Sequence, residues 1–169
     1  MLDRFLHILL RFLDFLSRVS GWIAAIFVIL IVLLMAVEIL SRSFLGTSTM
    51  VVSDYSGYFL VALVLFGLGF TLREDGHIRI KLIRMRLSET AGRILDILIA
   101  LGCAAMTLFA LRASLRMVLA SHRLDMRADT VAQTPFWIPQ LVIPVGLLLL
   151  LIQLLAFIIR RVRSSSATR

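Results

Sequence analysis

Glu38 is the residue best placed to do chemistry, because it follows an uncharged run from Val19 to Val37. A carboxylate at the edge of such an apolar helix is what a proton-coupled exporter would use, since ionisable groups within a bilayer are functional candidates by default. Arg42 follows one helical turn later, and oppositely charged residues at that spacing pair on a helix surface. The position near the outer end of the run points first to a structural ion pair or a subunit contact. An interfacial residue and a proton carrier remain as alternatives.

Other chemistries find less support. Haem ligation in a membrane helix pair needs facing histidines within the bilayer, whereas His7, His77 and His122 fall at or beyond the ends of the apolar runs. Asp54, Asp125 and Asp129 could hold a cation, but scattered carboxylates in loops are ordinarily solvated. Cys103 is the single cysteine, which rules out an internal disulfide, a CxxC redox pair and a thiolate metal cage. No nucleophile and base stand in a recognisable pattern. The expectation is a protein with no catalytic residue, no metal and no cofactor, and not an enzyme.

The elements that position these residues are read from hydropathy. The 169 residues are 60% apolar, against roughly 45 to 50% in soluble domains, and mean hydropathy is +1.00. Four stretches lack Asp, Glu, Lys and Arg: Val19 to Val37, Tyr55 to Leu72, Ile97 to Leu111, and Thr130 to Ile159. A membrane span takes about 20 mostly apolar residues. The first, second and fourth runs are long enough; the third covers only about 22 Å and requires Arg93, Asp96, Arg112 and Arg116 to snorkel. The fold class expected is therefore all-α, a polytopic membrane protein with transmembrane helices over 19–45, 54–73, 92–119 and 134–160. The first apolar run begins after Arg18 and has no small-x-small site before Glu38, so helix 1 reads as an uncleaved anchor.

Charge sets the orientation. Of the 18 Lys and Arg residues, all but Arg42, Arg112, Arg116, Arg123 and Arg127 fall before helix 1, between helices 2 and 3, or in the tail. The positive-inside rule puts both termini in the cytoplasm. The net charge of +8 is mostly this topology signal plus attraction to anionic headgroups of the lipid bilayer; no nucleic acid partner is implied.

Residues 1–18 place Leu2, Phe5, Leu6, Leu9, Phe12, Leu13 and Leu16 at helical spacing, an amphipathic N-terminal helix that would lie in the interface or dock on a partner. Residues 78–88 alternate apolar and basic, which favours a strand by period. A lone strand at a membrane surface leaves backbone groups unpaired, so a short interfacial helix is expected instead. Thr134 and Pro135 suit the cap and first turn of the fourth helix. Pro144 deprives the Gln140 carbonyl of its partner and predicts a kink near Gln140. Gly57, Gly67 and Gly69, with Ala100, Gly102 and Ala104, are expected at close helix contacts. Residues 161–169 form a cytoplasmic tail. There is no internal repeat and no helix broken by a Gly-rich stretch, the usual marks of a transport core.

Two segments carry a resemblance. One runs from Glu38-Ile-Leu-Ser-Arg42 through Ser53-Asp54 and Val64-Leu-Phe-Gly67 to Arg73-Glu-Asp-Gly-His77-Ile-Arg79-Ile. The other is Thr134-Pro135-Phe-Trp137-Ile-Pro-Gln140 with Ile143-Pro144-Val-Gly146. In that order they resemble the small membrane subunit of the tripartite ATP-independent periplasmic (TRAP) transporters over roughly residues 20 to 155. The chain departs from the family pattern at Val51 and Val52, where Trp is frequent, at Asp54 for Glu, and at Lys81 for an acidic residue. The resemblance implies two partners, a large TRAP permease subunit that carries the substrate and ion sites and a periplasmic substrate-binding protein. It also implies a bacterial inner membrane location, uptake of an organic acid such as a dicarboxylate driven by an ion gradient, and a scaffolding role for this chain. Candidate subunit-contact or structural residues are Glu38, Arg42, Asp54, His77, Arg79, Pro135, Trp137, Pro144 and Gly146. Rival readings are a self-sufficient four-helix exporter acting as a homodimer, and a membrane anchor of an enzyme complex.

Overall fold

The structure is a computed structural model that describes residues 2–73 and 89–166. The segment 78–88, with His77, Arg79 and Lys81, lies outside the described residues. What is described is helical, with four helices long and apolar enough to cross a membrane: Arg11–Leu45, Val52–Leu72, Ile94–Arg123 and Trp137–Val162.

Helix α1 runs unbroken over Leu2–Leu40. The amphipathic segment expected at the N-terminus and the first span are thus one rod rather than two elements. Nothing between residues 16 and 21 ends a helix, and the two serines there do not compete for their own backbone. Ser17 Oγ donates to the Gly69 carbonyl at 3.4 Å, and Ser20 Oγ to the Phe66 carbonyl at 2.5 Å. At 1.5 Å per residue α1 is about 58 Å long, nearly twice the hydrocarbon layer. It widens into a π-helical turn over Ser41–Leu45 and closes on Gly46, whose φ of 65° is left-handed.

Helix α2 spans Val52–Arg73 and α3 spans Glu89–Arg123. The last span is split into a short α4, Trp137–Gln140, and α5, Val142–Ser166. The break at Leu141 falls where Pro144 withholds a donor from the Gln140 carbonyl. The start of this span differs from the expected cap. Phe136 stands at the N-cap with no side-chain hydrogen bond. Thr134 is engaged elsewhere: its carbonyl accepts from the Ala128 N–H at 3.0 Å and its hydroxyl meets Tyr55 Oη at 3.1 Å. Pro135 pairs with Arg127 in an isolated β-bridge. Tertiary hydrogen bonds have outcompeted the local cap.

The helices form an open row. α1 packs along α2, α2 along α5, and α5 along α3, while α1 and α3 scarcely meet among the described residues. Burying apolar groups gives no driving force between helices in lipid, so close backbone approach has to supply attraction. Most of the buried apolar residues are accordingly small, Ala24, Ala62, Ala100, Ala104, Ala128 and Ala156, with Val118 and Leu154 the larger ones among those described. On α3 the buried positions Ala100, Ala104, Thr107, Ser114, Val118 and Ser121 follow one seam facing α5. Of the expected small residues, Ala100, Ala104 and Gly69 are buried at contacts, but the tightest glycines are two others. A Cβ on Gly146 would lie 2.5 Å from Leu65 Cβ, and one on Gly21 would lie 2.8 Å from the Phe70 ring. By contrast Gly57, Gly67 and Gly102 have nothing within 4 Å, and Gly69 meets only ordinary contact with Gln153 at 3.9 Å.

Candidate subunit-contact site

At the C-terminal end of α1 the reversal into α2 is tied to one carboxylate. Glu38 Oε1 accepts from Arg42 Nε at 2.6 Å and from Ser48 Oγ at 2.6 Å. Its Oε2 accepts from the Thr49 N–H at 3.0 Å and from Thr49 Oγ1 at 2.5 Å. Arg42 Nη2 also donates to Ser48 Oγ at 3.1 Å, and Ser41 Oγ to the Thr47 carbonyl at 3.0 Å. The local sequence permits this: Gly46 turns the chain back, and the Ser48 and Thr49 hydroxyls fall under the carboxylate. The Glu38 side chain is 11% exposed and that of Arg42 is 66% exposed. Arg42 therefore pairs inward while keeping donors on the surface. A carboxylate already accepting four hydrogen bonds is a loop clasp, and its geometry offers no open acceptor for a shuttling proton.

The remaining candidates at this end of the helices form a rim. Asp54 lies in the first turn of α2, where a negative charge suits the helix dipole, and its Oδ2 is buried without a hydrogen-bond partner. Next to it Tyr55 joins α2 to Thr134, with Tyr58 packed edge-on at 5.8 Å. Trp137 takes the His122 ring edge-on at 5.3 Å, fastening the end of α3 to α4. Arg127 is paired with Asp125 at 3.2 Å. Pro144 and Gly146 are buried one step further in, where Gly146 lets α5 close on α2. The candidates are thus brought together only in part. Glu38 and Arg42 share one clasp, Asp54, Pro135 and Trp137 are spread along the rim, and Pro144 and Gly146 are packing positions.

Sequence reasoning missed the ties at the opposite end of the helices. Arg160 Nη2 reaches Asp14 Oδ1 at 2.5 Å, and Arg161 Nε reaches Asp96 Oδ2 at 3.4 Å. The Arg161 guanidinium also lies 5.3 Å from the Phe157 ring centroid. Successive residues on a helix point about 100° apart, so these two arginines hold α1 and α3 to different sides of α5. Gln153 adds a third tie, donating through Nε2 to the Leu13 carbonyl at 2.8 Å. The only signal available beforehand was the presence of Asp14 and Asp96 at the ends of apolar runs. Among the described residues no three His, Cys, Asp or Glu side chains gather as metal ligands.

Four spans in an open row, two of whose ion pairs tie one helix to another, define a multi-pass α-helical membrane protein. Residues 31–164 match the profile of a family described as tripartite ATP-independent periplasmic transporters, DctQ component. The chain belongs to that family and is the small subunit of a TRAP transporter, a family of transporter components. No individually characterised protein matches it in a sequence comparison.

Proposed function

We propose that this chain is the fixed scaffold for a large TRAP permease subunit, in a bacterial inner membrane with both termini cytoplasmic. The family match over residues 31–164 carries the reading. The open row supports it, because a wall needs breadth and rigidity rather than an internal pathway. The large subunit carries the substrate and ion sites, and a periplasmic substrate-binding protein delivers an organic acid such as a dicarboxylate. Energy comes from an ion gradient. The topology rests on charge counting together with the grouping of Asp14, Asp96, Arg160 and Arg161 at one end of the helices.

The test is affinity purification of the tagged chain from native membranes in mild detergent, with mass spectrometry of what stays bound. A much larger hydrophobic subunit in about equal amount is the expected result. A lone homodimer, or soluble catalytic chains in its place, would reject the scaffold.

A further inference from the structure

From the outward face of α3 we infer that this face is where the large membrane subunit docks, and that the subunit brings acidic groups to Arg112 and Arg116. The inference rests on the scaffold reading and adds to it the surface and its chemistry.

Of the five basic residues at the outer side, Arg42 and Arg127 are paired within the chain, and Arg123 is exposed at the very end of α3. Arg112 and Arg116, one helical turn apart, are exposed and have no hydrogen-bond or ion-pair partner among the described residues. Arg116 lies nearly opposite the seam that packs on α5 and Arg112 about 125° round from it, on the side that also shows Leu98, Gly102 and Phe109. Phe109 is 72% exposed and Gly102 has nothing within 4 Å.

The depth of these arginines decides what can cover them. α3 is tied to its neighbours at Asp96, through Arg161, and at His122, through Trp137. Those ends are about 39 Å apart along the helix and bracket a hydrocarbon layer of about 30 Å. The midpoint is Phe109. Arg112 then starts about 5 Å outside the midplane and Arg116 about 10 Å, both short of the hydrocarbon edge at about 15 Å. Charged side chains at such depth face protein or a water-filled cavity and find partners there.

Three occupants are separable by charge and depth. Phospholipid phosphates lie outside the hydrocarbon layer: a snorkelling Arg116 reaches toward them, but Arg112, about 5 Å from the midplane, falls short, so lipid cannot cover both. A second copy of this chain would set arginine against arginine. A different membrane subunit with carboxylates in its outer half complements both positions, and Gly102 lets its backbone come close. The exposed face of α1 provides the contrast. Ile26, Ile29, Val32 and Leu33 are 53 to 60% exposed with no charge among them, the composition of a surface that meets lipid.

The experiment places a photoreactive phenylalanine analogue at Phe109 or at Val32 in the whole transporter, in native membranes, and identifies the adducts. Position 109 is expected to capture the large subunit and position 32 to capture lipid. In parallel, R112A/R116A is expected to recover about tenfold less large subunit than the wild type, while R112K/R116K keeps most of it because charge is retained. The inference falls if position 109 captures only phospholipid or a second copy. It also falls if position 32 captures the large subunit and position 109 does not; the scaffold reading then survives. It falls as well if R112A/R116A, present in the membrane at normal level, recovers the large subunit undiminished. Failure of every position to capture a large subunit, with none co-purifying, overturns the scaffold reading itself.

Discussion

Glu38 shows how a residue that looks chemical can be structural. Its ion pair with Arg42 was readable from the i, i+4 spacing, but the loop donors Ser48 and Thr49 were not, because a helix period says nothing about a chain that turns back. Without the carboxylate, two hydroxyls, one N–H and one guanidinium lose their acceptor. Glu38→Ala should therefore loosen the segment 46–51, seen as about tenfold faster amide exchange at Thr49. Glu38→Gln, which keeps one carbonyl acceptor, should fall between. Ion coupling of uptake should be unchanged in both. Altered coupling with the Thr49 amide still protected would instead give Glu38 a part in carrying protons. Arg42→Ala should also lower recovery of the large subunit, because it removes both a clasp member and surface donors; wild-type recovery and transport would limit Arg42 to the loop.

At the scale of the helices, the spans and the proline break were legible because hydropathy and the missing proline N–H act along the chain. The faces were less so. Small residues marked α2 and α3 as close-packing helices, yet Gly57, Gly67 and Gly102 point away from every described neighbour. Which side of a helix meets which partner depends on a rotation that sequence alone does not set. Gly146 carries the α2–α5 contact, and the fit there is tight enough to measure. Gly146→Ala puts a methyl into Leu65 and should cost about 1 to 3 kcal/mol through forced separation of the helices. Gly57→Ala meets open space and should be neutral or slightly stabilising, since alanine favours the helix. Unfolding of the two variants in mixed micelles compares them directly. Equal stabilities would mean that α5 does not lie against α2 as described.

The whole molecule is a row, and that can be tested with a residue it already has. Cys103, the single cysteine, is exposed on α3, so it accepts a spin label without substitution. A second label at Val32→Cys reports from the exposed face of α1. In a closed four-helix bundle adjacent axes lie about 8 to 10 Å apart; in the row α5 intervenes, so α1 and α3 are separated by at least two such steps, about 20 Å. Labels on outward faces lengthen both figures but not their difference. In pulsed dipolar measurements in lipid the label distance is expected to exceed by about 10 Å the one that the same outward-facing labels would show in a closed bundle, and a value at the closed-bundle figure would reject the row. Repeating the measurement with the large subunit bound tests function at the same scale. A scaffold resists the motion of what it holds, and the ties Asp14–Arg160 and Asp96–Arg161 brace both edges of the row against α5. The distance should therefore stay the same on binding, and again when substrate and ion are added. A change on binding alone would mean that the row is completed by its partner, and a change with substrate would place this chain among the moving parts.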